Sequence, residues 1–234
     1  MFISVVIPAH NEEKYLARAL ESLRSQRYPA SQYEIIVVDN CSTDATAEIA
    51  RRYGAIVVPE DGKGVARARQ TGFEAARGEI IASTDGDVDA PPDWLQNLAD
   101  VFQRNPQVGG MTGPVHLYDG NGLVRWWFRY VNNNFLRFTR FLGFGGFSGN
   151  NFAVRREPFL RVGGFRTSLL GGEDTDLALR LRMVTKLVYD QRTLMRASAR
   201  RAKEGYLRIM VRAAATHVKL WWLDRAPDGF PDIR

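Results

Sequence analysis

The chain has 234 residues, of which 45% are hydrophobic and 25% are charged, as in ordinary globular proteins. Its single cysteine, Cys41, excludes an internal disulfide and is typical of a reducing compartment. No secretory leader or membrane-spanning apolar run is evident, so we expect a cytoplasmic protein, either free or peripheral at the inner face of the membrane.

The net charge of +6 is unevenly distributed along the chain. Residues 1–120 contain 11 Lys+Arg and 17 Asp+Glu, a net charge of −6, whereas residues 121–234 contain 21 and 9, a net charge of +12. This asymmetry predicts a cation site in the acidic half and an anionic partner for the basic half. We expect that partner to be a phosphate or an acidic lipid surface, and no nucleic acid, because no nucleic-acid-binding motif occurs.

Strands and helices alternate through the first half of the chain. Apolar runs predict strands in FISVVIPA, YEIIVVDN, AIVVPE and EIIASTDGD, and a helix follows each of them. Continuous apolar strands that alternate with helices are typical of a parallel sheet covered on both faces. The sequence therefore predicts an α/β protein: a Rossmann-like single domain whose central, mostly parallel sheet is flanked by helices.

The second half follows a different pattern. Residues 123–142 are rich in aromatic residues and arginine and predict a helix, and GFGGFSGNNFAV is glycine-rich before it becomes strand-like. A helix is predicted in GGEDTDLALRLRM and a strand in TKLVYD. Residues 201–234 are expected to form an amphipathic C-terminal helical appendage.

Polar residues end three of the predicted strands, in VVIPAHNEE, VVDNCSTD and EIIASTDGD. Because the carboxyl ends of parallel strands meet at one edge of a sheet, these segments should converge on one crevice. Asp85 and Asp87 lie on one face of extended chain, so both can reach one hard cation. By itself, this short pattern leaves a solvated turn and a metal site both open.

A fourth acidic segment, GGEDTDLALRL, places Glu173 and Asp174 at the start of a predicted helix. Acidic residues in a first helical turn complement the helix dipole, so their position alone leaves a structural and a catalytic role equally open.

Five segments, taken in order, resemble the family 2 glycosyltransferases, which have the GT-A fold. That family shows a strand with Pro-x-x-Asn-Glu, a Val-Asp-Asp/Asn-x-Ser-Thr-Asp segment, an Ala-Arg-rich helix ending in Ala-x-Gly-Glu, an Asp-x-Asp and a later Glu-Asp pair. This chain has IPAHNEE, VVDNCSTD, GVARARQTGFEAARGE, STDGDVDAPPDWL and GEDTDLALRL. The similarity extends from residue 3 to about residue 190, and it is the order of the motifs that makes it specific.

The resemblance implies transfer of a single sugar, with inversion, from a nucleotide diphosphate-sugar to an acceptor hydroxyl. Asp87 is implied as the ligand of a divalent cation (Mn²⁺ or Mg²⁺), with Asp85 in support, because such a cation offsets the charge of the departing diphosphate. Asp174 aligns with the family's general base, and Glu173 precedes it. Residues 1–114 would form the nucleotide-sugar-binding half and residues 115–200 the acceptor half of one GT-A domain, residues 1–200.

The resemblance also implies which residues surround the two substrates. The nucleotide-sugar pocket would be lined by Pro8, Ala9, Asn11, Glu12, Asp39, Asn40, Lys63, Arg67, Asp85 and Gly86. The acceptor side would contain Gly149 and Asn150. For Asn11 and Asn40, helix capping and turn chemistry remain the alternative.

Three further side chains carry expectations of their own. We expect Arg69 to be solvated at the surface, and Trp94 to pack its helix against the sheet. Arg200 and its neighbour at position 201 are candidates to contact the diphosphate when a loop closes.

The donor is expected to be UDP-linked, although Asn40 stands where many relatives have a second Asp that accepts the N–H of uracil. The acceptor is expected to be a glycan or a lipid-linked molecule in cell-envelope glycan or glycolipid synthesis. RASARRAKEG stands where processive relatives have Gln-x-x-Arg-Trp, which favours single-sugar transfer. The basic aromatic segments leave contact with an anionic membrane surface, core packing and a homodimer interface open.

Two other classes of protein are alternatives. A nucleotidyltransferase would need a Gly-rich phosphate loop after the first strand, and IPAHNEEKYL lacks one. A non-catalytic nucleotide-sugar-binding module would have no need of Asp85, Asp87 and Asp174 together.

Overall fold

The computed structural model describes residues 1–134, 137, 146–169 and 171–200. The strands within these ranges are β1 (Ile3–Ala9), β2 (Tyr33–Asp39), β3 (Ile56–Pro59), β4 (Ile80–Ser83), β5 (Val88–Asp89), β6 (Val108–Thr112), β7 (Val115–Leu117), β8 (Phe152–Arg155), β9 (Lys186–Tyr189) and β10 (Met195–Ala197).

The helices within the same ranges are α1 (Leu16–Arg24), α2 (Thr46–Arg52), α3 (Val65–Ala75), α4 (Trp94–Arg104), α5 (Gly122–Trp127), α6 (Arg156–Arg161) and α7 (Glu173–Leu181). A 3₁₀ turn, Ala30–Gln32, precedes β2, and a π-helical turn, Phe128–Asn132, follows α5. No helix in the described part of the chain is long and apolar enough to cross a membrane.

Seven strands form the main sheet, in the order β3–β2–β1–β4–β8–β6–β9. The first four strands run parallel, β8 runs antiparallel between β4 and β6, and β9 runs parallel to β6. The predicted mostly parallel α/β sheet is therefore confirmed. This sheet contains strands that precede residue 114 and strands that follow it, so the two expected halves of the chain contribute to the same sheet.

Helices cover both faces of the sheet, as the continuous apolar strands predicted. All seven residues of β1 and all four of β4 are buried. Leu20 of α1 and Trp94 of α4 lie in the core on one face, and Phe73 of α3 and Leu177 of α7 lie in the core on the other. Because two faces must be filled, the strands need apolar side chains at successive positions.

A second sheet has three short strands in the order β5–β10–β7 and was not predicted. Its strands have two or three residues each, too few for an alternating pattern to be read from sequence. β10 pairs antiparallel with β5 and parallel with β7. Because β10 pairs with β5, residues 198–200 lie beside the Asp85–Asp87 turn.

The C-terminal appendage, residues 201–234, lies outside the described residues, as does most of the predicted helix beyond residue 134. Within the described part of that helix, Val124 and Phe128 are partly buried against the core.

Candidate active site

The loops after β1 and β2 are joined side by side. Helix capping, which was one alternative for Asn11, does not occur, because α1 begins at Leu16. Asn11 instead adopts a left-handed backbone conformation (φ 54°), and its side-chain oxygen accepts the N–H of Thr43 at 2.8 Å. The N–H of Glu12 donates to Thr46 Oγ1 at 2.7 Å. These bonds hold Glu12 at the rim of the sheet.

Asn40 lies at the same rim, and both the nitrogen and the oxygen of its amide group are hydrogen-bonded to the protein. The side chain is buried, and its nitrogen donates to the carbonyl oxygens of Glu60 and Gly62 at 3.0 and 2.7 Å. Its oxygen accepts the N–H of Gly64 at 3.0 Å. Asn40 therefore braces the loop that leads into α3, which is the turn chemistry named as the alternative.

The other residues expected around the donor differ in exposure. Pro8 and Ala9 are buried at the end of β1, and Asp39 is partly buried, its Oδ1 accepting a backbone N–H of its own turn at 3.1 Å. Lys63 and Arg67 are exposed at the start of α3. These two cations are therefore accessible to an anionic ligand.

The Asp85–Asp87 turn follows β4, and a Cβ atom placed on Gly86 would lie 3.2 Å from Glu12 Cγ. Asp87 is 5% exposed, and Arg200 Nε donates to its Oδ2 at 2.6 Å. A second nitrogen of Arg200 donates to Glu12 Oε1. Burial disfavours the charged guanidinium, but these two carboxylates outweigh that effect and raise the pKa of Arg200. One arginine thus holds two carboxylates together.

Arg69 lies at the centre of the cluster, so the expectation that it is solvated is wrong. It is 3% exposed, pairs with Glu173, and donates to Asp85 Oδ1 at 3.1 Å and to the carbonyl oxygen of Gly149 at 2.8 Å. Arg69 is on the buried stripe of α3, three residues after Ala66 and three before Gly72. The position of this charged residue on the apolar stripe of α3 was the sequence signal that could have predicted its burial.

Glu173 and Asp174 lie at the start of α7, and their side chains differ in burial and in hydrogen-bond partners. Glu173 is 4% exposed, and burial raises the pKa of its carboxyl group; Arg69 opposes this rise and Asp174 adds to it. Asp174 is half-buried, and its Oδ1 accepts the N–H of Thr175 at 2.7 Å. Of the two carboxylates, Asp174 is the one that a substrate can reach.

The segment expected on the acceptor side, Gly149 and Asn150, lies close to Asp174. A Cβ atom placed on Gly149 would lie 3.0 Å from both Asp174 Oδ2 and Arg69 Nη2, which is closer than nearly all real contacts of this kind. The carbonyl oxygen of Asn150 accepts a hydrogen bond from Thr84 Oγ1 at 2.9 Å. Both expected acceptor-side residues therefore lie beside the charged cluster.

Seven charged side chains make up the cluster: Glu12, Asp85, Asp87, Glu173, Asp174, Arg69 and Arg200. Their formal charges sum to −3. A further carboxylate oxygen, Glu12 Oε2, is buried without a hydrogen-bond partner. No group of three His, Cys, Asp or Glu side chains within the described ranges is arranged to hold a metal ion. The excess negative charge nevertheless favours a cation supplied together with an anionic ligand.

Asn151, the neighbour of Asn150, joins several elements of the fold, and the sequence analysis did not single it out. Its oxygen accepts the indole N–H of Trp94 at 3.0 Å, and its nitrogen donates to the carbonyl oxygens of Pro114 and Thr193 at 2.9 and 2.7 Å. Trp94 is fully buried against the sheet, as expected. Asn151 thus connects α4, β8 and the loops beside β7 and β10.

Comparisons with known proteins agree with this architecture. The sequence model described as "Glycosyl transferase family 2" matches residues 4–163, which include Arg69 and the Asp85–Asp87 turn but end before Glu173. The glycosyltransferase AglE of Haloferax volcanii is 41% identical over 101 residues, 41% of this chain and 33% of that protein. The beta-monoglucosyldiacylglycerol synthase of Nostoc sp. is 29% identical over 197 residues, 78% of this chain and 41% of that protein.

A solved structure shares the fold over most of the chain. The mannosyltransferase PcManGT of Pyrobaculum calidifontis, in complex with GDP-Man and Mn²⁺, is 27% identical with a TM-score of 0.75, over 96% of this chain and 65% of that protein. The chain thus spans less than half the length of both curated relatives named above. The match to the family model and the shared GT-A fold confirm the resemblance in the motifs: the chain belongs to glycosyl transferase family 2.

Proposed function

We propose that this protein transfers a single sugar, with inversion, from a nucleotide diphosphate-sugar to an acceptor hydroxyl. The observation that carries the proposal is the position of Asp174, a reachable carboxylate beside the Asp85–Asp87 turn and the Gly149 wall. A donor held at the turn and an acceptor held at the wall would both lie next to this carboxylate. Membership of the family disfavours a nucleotidyltransferase.

We propose that a divalent cation, Mn²⁺ or Mg²⁺, accompanies the donor and that Asp87 and Asp85 hold it. Mg²⁺ in proteins commonly takes one or two carboxylates and completes its shell with substrate phosphates and water, so two aspartates suffice. A cluster with a formal charge of −3 would repel a diphosphate by itself. When bound, the cation would offset the negative charge that collects on the departing nucleoside diphosphate.

Asp174 is proposed as the general base that accepts the proton of the acceptor hydroxyl as this oxygen attacks the sugar. Glu173 is a poor base, because its carboxylate is buried and paired with Arg69. We therefore assign to Glu173 the role of holding the start of α7. Lys63 and Arg67, exposed at the start of α3, are proposed to contact the diphosphate.

The base of the nucleotide is proposed to be recognised beside Asp39. The amide of Asn40 is hydrogen-bonded to Glu60, Gly62 and Gly64, so we assign to Asn40 the role of holding this loop. PcManGT, at 27% identity, is bound to GDP-Man, so UDP and GDP are both candidates. Thermal unfolding with each nucleotide and Mn²⁺ distinguishes them, because a bound ligand raises the melting temperature by mass action.

We propose a lipid-linked or glycan acceptor presented at an anionic membrane surface. The support is an exposed patch on α5 and the turn after it, where Leu123, Trp126 and Tyr130 lie exposed beside Arg125 and Arg129. Aromatic and basic residues on one helix are typical of interfacial binding. Sedimentation with phosphatidylglycerol vesicles at low salt should carry down the wild type but little of the variant Trp126→Ser; no binding of the wild type would contradict the proposal.

The central experiment measures transfer or hydrolysis of nucleotide diphosphate-sugars with Mn²⁺. Asp174→Asn should lower kcat by about 10²- to 10⁴-fold and leave nucleotide binding intact, because only proton acceptance is lost. Asp87→Asn should weaken nucleotide binding in the presence of Mn²⁺. The matched control is Glu157→Gln, which removes an exposed carboxylate paired only with Arg161 on α6. Equal activity in the wild type and Asp174→Asn would overturn the assignment.

A further inference from the structure

We propose that a basic surface on the three-stranded sheet binds a phosphate group of the acceptor, and that the acceptor carries this phosphate on an apolar chain. We name this surface, which consists of Arg18, Asp89, His116, Arg129 and Arg196, the basic face. The inference rests on the proposed function, because that function supplies the identity of the ligand as the acceptor.

The strands β5, β10 and β7 bring three of these residues into one row. Arg196 lies opposite Asp89 of β5 and opposite His116 of β7, so all three side chains are on the same face of the sheet. Arg196 is exposed, and Asp89 and His116 are partly buried. The opposite face packs in the core through Val88, Val115, Leu117, Met195 and Ala197. The row of polar residues therefore lies at the surface of the molecule.

The π-helical turn after α5 places Arg129 beside this row. Asn133, which is 5% exposed, accepts the N–H of Val115 with its Oδ1 at 3.1 Å and donates from its Nδ2 to the carbonyl oxygen of Val115 at 3.1 Å. These two bonds hold the turn against β7, the strand that contains His116. Turns of this kind are rare and are frequent at functional sites.

The basic face has more positive than negative charge. Its one carboxylate, Asp89, pairs with Arg18 at 3.0 Å and with Arg196 at 3.6 Å. Three arginines and one aspartate give a formal charge of +2, and Arg129 forms no ion pair with any described residue. Burial lowers the pKa of His116, and the nearby Arg129 and Arg196 lower it further. Such repulsion does not stabilise the fold, whereas a bound phosphate would offset it.

Exposed aromatic rings next to Arg129 indicate what the phosphate is attached to. Trp126 and Tyr130 are 53% and 49% exposed, and the centroids of their rings are 6.0 Å apart. The guanidinium carbon of Arg129 lies 5.6 Å from the centroid of the Tyr130 ring. A cation directly beside exposed apolar surface matches a ligand that has a phosphate group and an apolar chain. The chain would cover the two rings.

The location of the basic face favours the acceptor over the donor. Asp89 follows Asp87 by two residues, which is about 7 Å of extended chain. The diphosphate of the donor is already assigned to a divalent cation and to Lys63 and Arg67. A phosphate on the basic face therefore belongs to the second substrate, which would lie next to the Asp85–Asp87 turn.

The test measures binding of decyl phosphate, used as monomers below its micelle concentration, to the full chain. Calorimetry is done without Mn²⁺, because this cation would itself bind phosphate. The wild type should bind, and Arg129→Gln and Arg196→Gln should each raise the Kd by about tenfold, because each removes a charge-assisted hydrogen bond to phosphate. No binding by the wild type at millimolar concentrations, or a wild-type Kd in both variants, would overturn the proposal.

A matched control separates a local effect from a general loss of positive charge. Arg161→Gln removes an exposed arginine that pairs with Glu157 on α6, and it should keep the wild-type Kd. Thermal unfolding checks that each variant folds, as expected for substitutions of exposed side chains. Should Arg196→Gln fail to fold, Arg129→Gln decides the matter alone.

Inorganic phosphate tests the apolar part of the ligand. Decyl phosphate should bind at least about tenfold more tightly than inorganic phosphate, because several CH₂ groups leave water when the chain covers the aromatic rings. Trp126→Ser should reduce this difference. Equal affinity of the wild type for the two compounds would refute the apolar chain.

Vesicles of phosphatidylglycerol test the other source of the same chemistry, a lipid headgroup in a bilayer. Arg196→Gln should keep vesicle binding through the exposed residues of α5 and lose affinity for decyl phosphate. If Arg196→Gln instead loses vesicle binding and keeps its affinity for decyl phosphate, the basic face binds a bilayer and the acceptor proposal fails.

The outcomes also separate this inference from the proposed function, because binding of decyl phosphate requires no catalysis. If the wild type hydrolyses a nucleotide diphosphate-sugar but does not bind decyl phosphate, only the phosphate subsite is refuted. If it binds decyl phosphate but neither binds nor hydrolyses any donor, the proposed function fails, and with it the identity of the ligand as an acceptor.

Discussion

Glu34 is a buried carboxylate away from the active site, and it has several hydrogen-bond partners. Glu34 is 7% exposed at the start of β2. Its Oε1 accepts bonds from Ser4 Oγ at 2.6 Å and from the N–H of Arg77 at 2.9 Å, and its Oε2 accepts from Arg77 Nε at 2.9 Å. Burial alone would raise the pKa of Glu34, but these bonds outweigh it and lower that pKa.

This lowered pKa predicts how stability depends on pH. Ionised Glu34 stabilises the folded state above its ordinary pKa of 4.5, and this contribution is lost as pH falls through the lower, folded-state pKa. Glu34→Gln should lower the free energy of unfolding at pH 7 by about 2 kcal/mol, because an amide nitrogen then faces the donors of Arg77. Urea unfolding should show the difference from the wild type shrinking below pH 4.5. A difference that is equal at pH 7 and pH 3.5 would contradict the prediction.

At the scale of elements, the close approach of α3 to the sheet determines where Arg69 points. A Cβ atom on Gly72 would lie 2.4 Å from Val6 Cγ1 and 2.8 Å from Val38 Cγ2, so the helix backbone rests almost directly on β1 and β2. Arg69, one turn earlier on the same stripe, is thereby directed toward the carboxyl ends of the strands. The packing of α3 on the sheet thus determines the position of the Arg69 guanidinium group.

Gly72→Ala should therefore destabilise the protein by about 1–3 kcal/mol, because the added methyl group forces α3 away from the valines beneath it. Gly122→Ala, in α5, is the matched control, since its methyl group would meet no atom within 4 Å. Urea unfolding of both variants is the measurement. Equal stability of Gly72→Ala and the wild type would show that the helix can shift at little cost.

At the scale of the whole molecule, the basic half of the chain neutralises part of the acidic half. Arg200 pairs with Glu12, 188 residues away, and with Asp87. The backbone N–H of Ser198 also donates to the carbonyl oxygen of Asp87 at 3.0 Å. The acidic half predicted a cation site, and the folded chain places its own guanidinium group on two of those carboxylates.

Arg200→Gln should consequently make the fold more dependent on added cations. Without the guanidinium group, Glu12 and Asp87 repel each other, so the melting temperature should fall in the absence of metal. Mn²⁺ should raise it more in this variant than in the wild type, because binding stabilises the folded state by mass action. Differential scanning fluorimetry with and without Mn²⁺ measures both effects, and equal Mn²⁺ shifts in the two proteins would refute the expectation.

Three properties could be predicted from the amino-acid sequence alone: the alternation of strands and helices, the location of the polar motifs at the carboxyl ends of strands, and the family. The first two depend on patterns within about ten residues, namely apolar runs and turn residues, and the family depends on motifs in a fixed order along most of the chain. The short strands β5, β7 and β10 escaped prediction because two or three residues carry no readable pattern.

Which side chains meet is seen only in the folded chain. Arg69 and Glu173 are 104 residues apart, and Arg200 and Glu12 are 188 residues apart. Local sequence contains no record of such distant partners, so Arg69 was expected in solvent. Burial within the fold likewise separates the adjacent carboxylates Glu173 and Asp174, because Glu173 forms an ion pair with Arg69 in the interior and Asp174 is half-buried.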